Sequence, residues 1–434
     1  MTVAAADVDA SLARASASVS AEAITDLARL LVRTPSPPGR ERALAETVAA
    51  WGRAADPALS WEIDALDEES ASLVARSASG GGTRELAIYG HLDTSLTGAV
   101  ERDLPITGAD ADQAPFRSDE TERTLRGLGV GVAKAPAAAG TIAFLATAAA
   151  LRELGVRHRL TLLLAAGGTH RAAPPIGHAG PIPFGRGVAK LLAAGWRPSA
   201  VLNVKGGPPG VLHEEPASAY LRVRIRRAWS AALQRRSAAP DGGIARHAGR
   251  VIDAVEGWRD AYLQAHSPTG QLGCEIALGA LRAGLPEKAD LIPGLLELFV
   301  YAVLPPESDP VGVAQELEAW VRSRCTDVTG AAAAEVDLYA FAPGGRADPD
   351  SEIVRLARAA YAAHAGEVAA IRDWTGATDG GLFLAAGIPT ARLGVRVSRD
   401  DADPRIEIVS VEDLVACARA YVDVTLRYLT GPAA

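Results

Sequence analysis

Cysteine, methionine, lysine and large aromatics are all scarce in this 434-residue chain, and each shortage removes a class of explanation. The three cysteines, Cys274, Cys325 and Cys417, lie far apart and outside any Cys/His cluster, so neither a disulfide framework nor a thiolate zinc site is implied. That usage fits a reducing cytoplasm, and a cytoplasmic chain is the expectation. Met1 to Ser20 lacks the basic-then-apolar order of a signal peptide. No apolar run in the sequence reads as membrane-spanning, so a membrane partner is not expected. Basic residues are fewer than acidic ones, 44 against 52, which argues against a sequence-independent grip on nucleic acid. A small molecule is the expected partner. Only Lys134, Lys190, Lys205 and Lys288 are lysines; every other basic side chain is an arginine.

What is present is a regular alternation of helical and strand patterns. Ile24, Leu27, Leu30 and Leu31 recur at helical spacing, Thr34-Pro35-Ser36-Pro37-Pro38-Gly39 breaks the pattern, and Glu41 to Trp51 resumes it. Leu73 to Arg76 and Leu86 to Tyr89 read as strands, the second running into Gly90-His91-Leu92-Asp93. A long irregular stretch from Gly98 to Arg123 follows, then an Ala-rich helix over about Ala137 to Leu154 and an apolar central strand, Leu160 to Ala166. From residue 213 the order changes: strand 218–227, helix 242–264, strands 273–283 and 294–304, helix 309–325, strand 332–341. This βαββαβ order describes a ferredoxin-like module. Alternation then resumes with the helix Ile353 to Ala365, the strand Thr390 to Val395 and a closing helix, Val411 to Leu429. The predicted organisation is therefore α/β, with a first part over 1–212, an inserted module over 213–342 and a second part over 343–434.

Several local motifs sit in this order: the Leu31 to Glu41 opening, Gly90-His91-Leu92-Asp93, Gly127-Leu128-Gly129 leading to Lys134, the inserted module, and Thr378-Asp379 with Gly387-Ile388-Pro389. Together, over nearly the whole chain, they resemble the di-zinc family of aminoacylase, carboxypeptidase G and succinyl-diaminopimelate desuccinylase. The resemblance implies a mixed-sheet zinc-exopeptidase-like domain with a ferredoxin-like lid that joins a homodimer. It also implies a site in which carboxylates and imidazoles hold two zinc ions that activate water and polarise an amide carbonyl.

Carried over residue by residue, the first ligand corresponds to His91, and Asp93 to the carboxylate that orients it. The bridging Asp falls on Val132, the catalytic Glu pair on Gly168-Thr169 or Thr169-His170, the next acidic ligand on Lys205 and the last His on Asp403. The family's lid histidine has no match at Ala228-Trp229-Ser230. Two crowded divalent cations need several negative charges, so no cofactor is expected; a single zinc on His91, His170 or Asp403 is the alternative.

The expected catalytic set is His91 held by Asp93 as a general base, with Lys205 as a cation that polarises a carbonyl. Thr169, His170, Thr378, Asp379 and Arg372 are the expected substrate-binding residues, Arg372 for a carboxylate. Lys134 reads as packing around the Gly-rich turn. His213, Glu214 and Glu215 read as a solvated hinge into the module, and Gly206 to Gly210 as loop chemistry without phosphate-loop context. The expected activity is metal-independent chemistry on a small amide-bearing or amino-carboxylate molecule: hydrolysis, cyclisation or isomerisation. Two other readings compete with it: a non-catalytic homologue that binds a ligand or a subunit, and a conventional zinc amidohydrolase whose ligands lie elsewhere in the sequence.

Overall fold

Stretches apolar at every position become the middle of a sheet covered on both faces, because each residue then has a layer to bury against. Leu160–Ala165 and Ala200–Val204, interrupted only by Thr161 and Asn203, come close to this, and both lie at the centre of the fold. A computed structural model describes residues 4–431 apart from 80, 83, 109–116, 120–122, 169–183, 232–242, 267–269, 327–333 and 368. The strands of its main sheet are β1 (Ser60–Ala65), β2 (Ala71–Ser79), β3 (Glu85–His91), β4 (His158–Ala165), β5 (Ala200–Val204), β6 (Gly210–Leu212) and, after the insertion, β11 (Thr390–Gly394). Their order is β1-β2-β4-β3-β5-β11-β6. The inner run from β4 through β3 and β5 to β11 is parallel, flanked by antiparallel pairs at both edges. A mixed sheet with helices on both faces follows.

One face carries the larger core. The helix Ala135–Glu153 is buried nearly all round and lies between the sheet and the closing helix Val411–Thr430. It is long and apolar enough to cross a membrane, but most of that length is buried inside the fold. Small residues let it approach the sheet: a Cβ on Gly140 would stand 2.7 Å from the Val204 side chain. Ser410 caps the closing helix by accepting from the Asp413 amide at 3.2 Å, a contact of the kind that stabilises a helix by about 1 kcal/mol. The opposite face buries Val74, Ala87, Tyr89, Leu163, Val201 and Phe383.

The insertion forms its own sheet from β7 (Ala217–Arg226), β8 (Glu275–Ala283), β9 (Leu295–Leu304) and β10 (Ala334–Ala342), in the antiparallel order β8-β9-β7-β10. Helices Ala248–Ala265 and Pro310–Arg324 pack on one side through Val251, Trp258, Leu317 and Val321. This is the ferredoxin-like topology. The two connections to the main body run side by side, since Gly345–Arg346 pairs with Glu214–Glu215.

Two elements depart from the sequence reading. Ala5–Ser18 is a helix although it is built from small polar residues; Val8, Leu12 and Ala15 recur at helical spacing and join the core. Within the stretch expected to be irregular, Val100–Thr107 is a short helix whose Asp103 carboxylate accepts from the Thr97 and Gly98 amides at 3.0 and 2.7 Å.

Candidate active site

Parallel register sets up the site. Tyr89 on β3 stands opposite Asn203 on β5, and Asn203 opposite Arg392 on β11, so three polar side chains make a row across adjacent strands. Side chains alternate between faces, so His91 lies on the same face as Tyr89, and Lys205 continues the Asn203 face just past the strand end. Their neighbours Ile88, Leu202 and Leu393 serve the helical core behind. A polar patch thus forms at the carboxyl ends of the central strands, where open α/β sheets place their sites.

His91 is 1% exposed, and its Nδ1 lies 3.1 Å from the Asp93 carbonyl oxygen and 3.3 Å from Oδ1. The Asp93 carboxylate in turn accepts from the Gly168 amide at 2.7 Å. His91 Nε2 has no hydrogen-bond partner among the described residues. Burial, followed by the nearby Lys205 charge, lowers the imidazole below its ordinary value despite Asp93. It is a neutral ring whose Nδ1 is oriented and whose Nε2 is open, the arrangement a general base requires.

Lys205 is 5% exposed, and burial first, then the Arg392 charge, bring its ammonium down to about 7. Glu215, Asp93 and Glu407 pull the other way without restoring the ordinary value. Among the described residues no hydrogen bond or ion pair holds its amine. Lys134 is the contrasting case. Burial alone lowers it to about 7, and its Nζ donates to the Thr34 carbonyl at 2.8 Å, away from this row.

Glu215 corrects the expected solvated hinge. It is 2% exposed, Asn203 Nδ2 donates to its Oε1 at 3.3 Å, and Thr378 bonds it as well. Burial raises this carboxyl while Arg392 and Lys205 hold it back. Glu214 is also buried, bonded to the Gln271 amide at 2.8 Å and paired with Arg346 at 3.4 Å. Arg392 is 1% exposed, donates to the Gly206 carbonyl and lies 4.7 Å over the Trp374 ring. The sequence reading places Glu215 only in a solvated hinge and gives Arg392 no role. For Arg392 the available signal was a charged residue interrupting a buried apolar strand, a placement that costs free energy unless compensated.

Thr378 and Asp379 both lie in this region. Asp379 is fully buried, the Tyr89 hydroxyl donates to its Oδ1, and Oδ2 has no partner among the described residues. Burial raises its carboxyl well above the ordinary value. Glycine admits the close approaches. A Cβ on Gly168 would stand 2.6 Å from the His91 Cβ and 3.2 Å from Asp379 Oδ2. One on Gly380 would stand 2.8 Å from Asn203 Nδ2 and 2.9 Å from Thr378 Oγ1.

The remaining expected residues fall elsewhere. Asp403 is held by Arg405 through contacts of 2.7 and 2.5 Å. With Val132 and Glu407 it lines a cavity of about 560 Å³, and Glu407 accepts there from the Gly131 and Val132 amides at 2.8 and 2.9 Å. Arg372 is exposed and lines a different cavity of about 570 Å³ with His213 and Arg358. Thr169 and His170 lie outside the described residues. No three His, Cys, Asp or Glu side chains converge as a metal-holding group among the described residues. With Val132 and Lys205 where the resemblance puts a bridging and a terminal carboxylate, the described donor set does not fit two metal ions.

Comparison with known proteins supports the fold. The model of peptidase family M20/M25/M40 matches residues 87–427. A tripeptidase from Staphylococcus aureus superposes with a TM-score of 0.64 at 14% identity, covering 95% of this chain and 99% of that one. Human carnosine dipeptidase 1 gives 0.63 at 11% identity, with 97% of both chains covered. A Bacillus subtilis protein described as a dinuclear metal binding peptidase gives 0.55 at 15%, covering 94% and 98%. No curated protein matches the chain by sequence.

Proposed function

We propose that this chain, which belongs to peptidase family M20/M25/M40, acts on a small amide-bearing or amino-carboxylate molecule without a two-metal centre. The observation that carries this reading is Lys205, a buried cation at the end of the central strand, within electrostatic reach of His91 and Asp93. In its ammonium form Lys205 stabilises the oxyanion that develops when an amide carbonyl is attacked. His91, oriented through Nδ1 by Asp93, takes a proton from the attacking water or internal nucleophile at Nε2. It then returns that proton to the leaving nitrogen. Asn203, Thr378 and Glu215 present polar groups along the same wall.

The reading includes a cytoplasmic homodimer joined through the inserted module, where Trp229, Leu281 and Leu285 are exposed. Sedimentation of the full chain checks this; a monomer at all concentrations removes it.

A panel of N-acyl amino acids and cyclic amides, offered to chelator-treated protein, tests the chemistry. Turnover should persist in chelator and fall by about 10²-fold or more in His91→Gln. Turnover that appears only with zinc, or that Lys205→Met leaves unchanged, overturns the proposal.

A further inference from the structure

The geometry points to a second activity of this site: Lys205 captures the keto group of a small 2-oxo acid as an imine, with the acid's carboxylate set against Arg392. The inference rests on the reading above only in taking Lys205 and His91 to face one substrate.

A lysine becomes a nucleophile when it is desolvated or stands next to another cation, since both conditions favour the free amine. Lys205 meets both, being 5% exposed and beside the Arg392 charge. It follows a strand whose neighbours on either side carry His91 and Arg392, so a base and an anion-binding group flank the amine. Among the described residues no hydrogen bond or ion pair holds that amine. Lys134 is buried too, but its donor is already committed to the Thr34 carbonyl.

The surrounding polar atoms indicate the guest. Arg392 Nε and Nη1, Asn203 Oδ1, Glu215 Oε2 and His91 Nε2 are all buried with no partner among the described residues. Buried polar groups are almost always satisfied, so this concentration in one place calls for a polar ligand. A carboxylate answers the open Nη1 of the guanidinium, whose Nη2 already donates to the Gly206 carbonyl. The adjacent keto carbon then lies on the Lys205 side, and its oxygen can exchange protons with His91. Three acids also face Lys205: Asp93, Glu215 and Glu407. Burial raises the Glu215 and Glu407 carboxyls above the ordinary value, while the nearby cations hold Glu215 back.

The step balances without an oxidant or a metal. The amine nitrogen bonds to the keto carbon while the carbonyl electron pair moves to oxygen. His91 carries the amine protons to that oxygen, the C–O bond breaks, and one water leaves as the C=N bond forms. Oxidation states do not change.

Pyruvate with sodium borohydride is the test, applied to the full chain, because borohydride fixes an imine as a stable secondary amine. Four lysines make the peptide map simple. One reduced pyruvyl group is expected on Lys205, at least about tenfold above Lys134, Lys190 or Lys288, reflecting the base and the guanidinium that flank it and, against Lys134, an amine that is not bonded to a carbonyl. His91→Gln should slow the capture, Lys205→Arg should abolish it, and acetone, which has no carboxylate, should label Lys205 at least about tenfold less for want of a guanidinium partner. Labelling spread evenly over the lysines, no adduct in the wild-type chain, or acetone labelling equal to pyruvate each overturns the inference. The wild-type map decides this even if the variants fold poorly. The amide panel separates the two readings: an adduct without amide turnover removes the amide reading alone, and amide turnover without an adduct removes this one alone.

Discussion

The Tyr89 hydroxyl donates a hydrogen bond to the Asp379 carboxyl, tying β3 to the loop ahead of β11 across 290 positions of sequence. Asp379 Oδ2 has no partner among the described residues, and burial raises the carboxyl well above the ordinary 3.8. The folded chain therefore keeps a proton that the unfolded chain releases. This contribution to stability is full below the unfolded value and is lost as pH rises through the folded one. Asp379→Asn removes the titration. The variant should gain stability on the wild type as pH is raised from about 4 to about 8. Parallel stability curves from urea unfolding would show that Asp379 is charged in the fold.

Lys134 gives the opposite slope. Burial lowers its ammonium from 10.5 to about 7, so between those values the unfolded chain binds a proton that the folded chain does not. The wild type should then gain on Lys134→Met as pH rises from about 7 towards 10.5, with the whole advantage present above that value. Urea midpoints of the two proteins at matched pH check this. A constant difference would place the Lys134 amine in water.

Glu215 faces two buried cations, Arg392 and Lys205. Removing one member of a buried charge group leaves the others uncompensated, at a cost of about 3–5 kcal/mol. Glu215→Gln should lose stability on that scale while keeping the contact with Asn203. A change under about 0.5 kcal/mol, the level of an ordinary surface substitution, would mean that Glu215 does not offset those charges.

Gly380 lies where a methyl group would meet Asn203, Thr378 and Glu215 at 2.8, 2.9 and 3.2 Å. Gly380→Ala must push one of them aside, a strain of about 1–3 kcal/mol. It should weaken substrate binding together with thermal stability. Gly387→Ala, a position with positive φ and open space around it, should lower stability alone. Equal binding losses in the two variants would argue that Gly380 is not near the substrate.

The helices and strands were legible wherever burial imposes a strict period. The closing helix, read as Val411 to Leu429, spans Val411–Thr430, and the strand read from Leu160 to Ala166 spans His158–Ala165. Ala5–Ser18 was not legible, because its small residues form a helix only once Val8 and Leu12 have a core to enter. The site was legible only where motif and chemistry coincide, as at His91, Asp93 and Asp379. Asn203 and Arg392 sit in apolar runs, and the property that matters, their pairing across β5 and β11, is set by strand order. Glu215 read as a hinge residue because a charged pair at a domain junction is normally solvated; folding the hinge against Gly345–Arg346 buries it instead.

Metal response provides a further test. A ligand that binds only the folded state stabilises it by about 2.7 kcal/mol at a hundredfold excess over Kd, so a resident two-zinc centre would make unfolding strongly sensitive to chelator. The described side chains around Lys205 instead place an ammonium and a guanidinium among Asp93, Glu215 and Glu407. Urea unfolding in EDTA and in added zinc should then agree to within about 0.5 kcal/mol. Lys205→Glu reverses the local charge, removing a cation and adding a fourth carboxylate to the three that face it, with His91 Nε2 open beside them. That donor set suits zinc, so the variant should lose stability in EDTA and regain it with zinc. A strong EDTA effect on the wild-type chain would show that a metal centre is present, held in part by residues outside the described set.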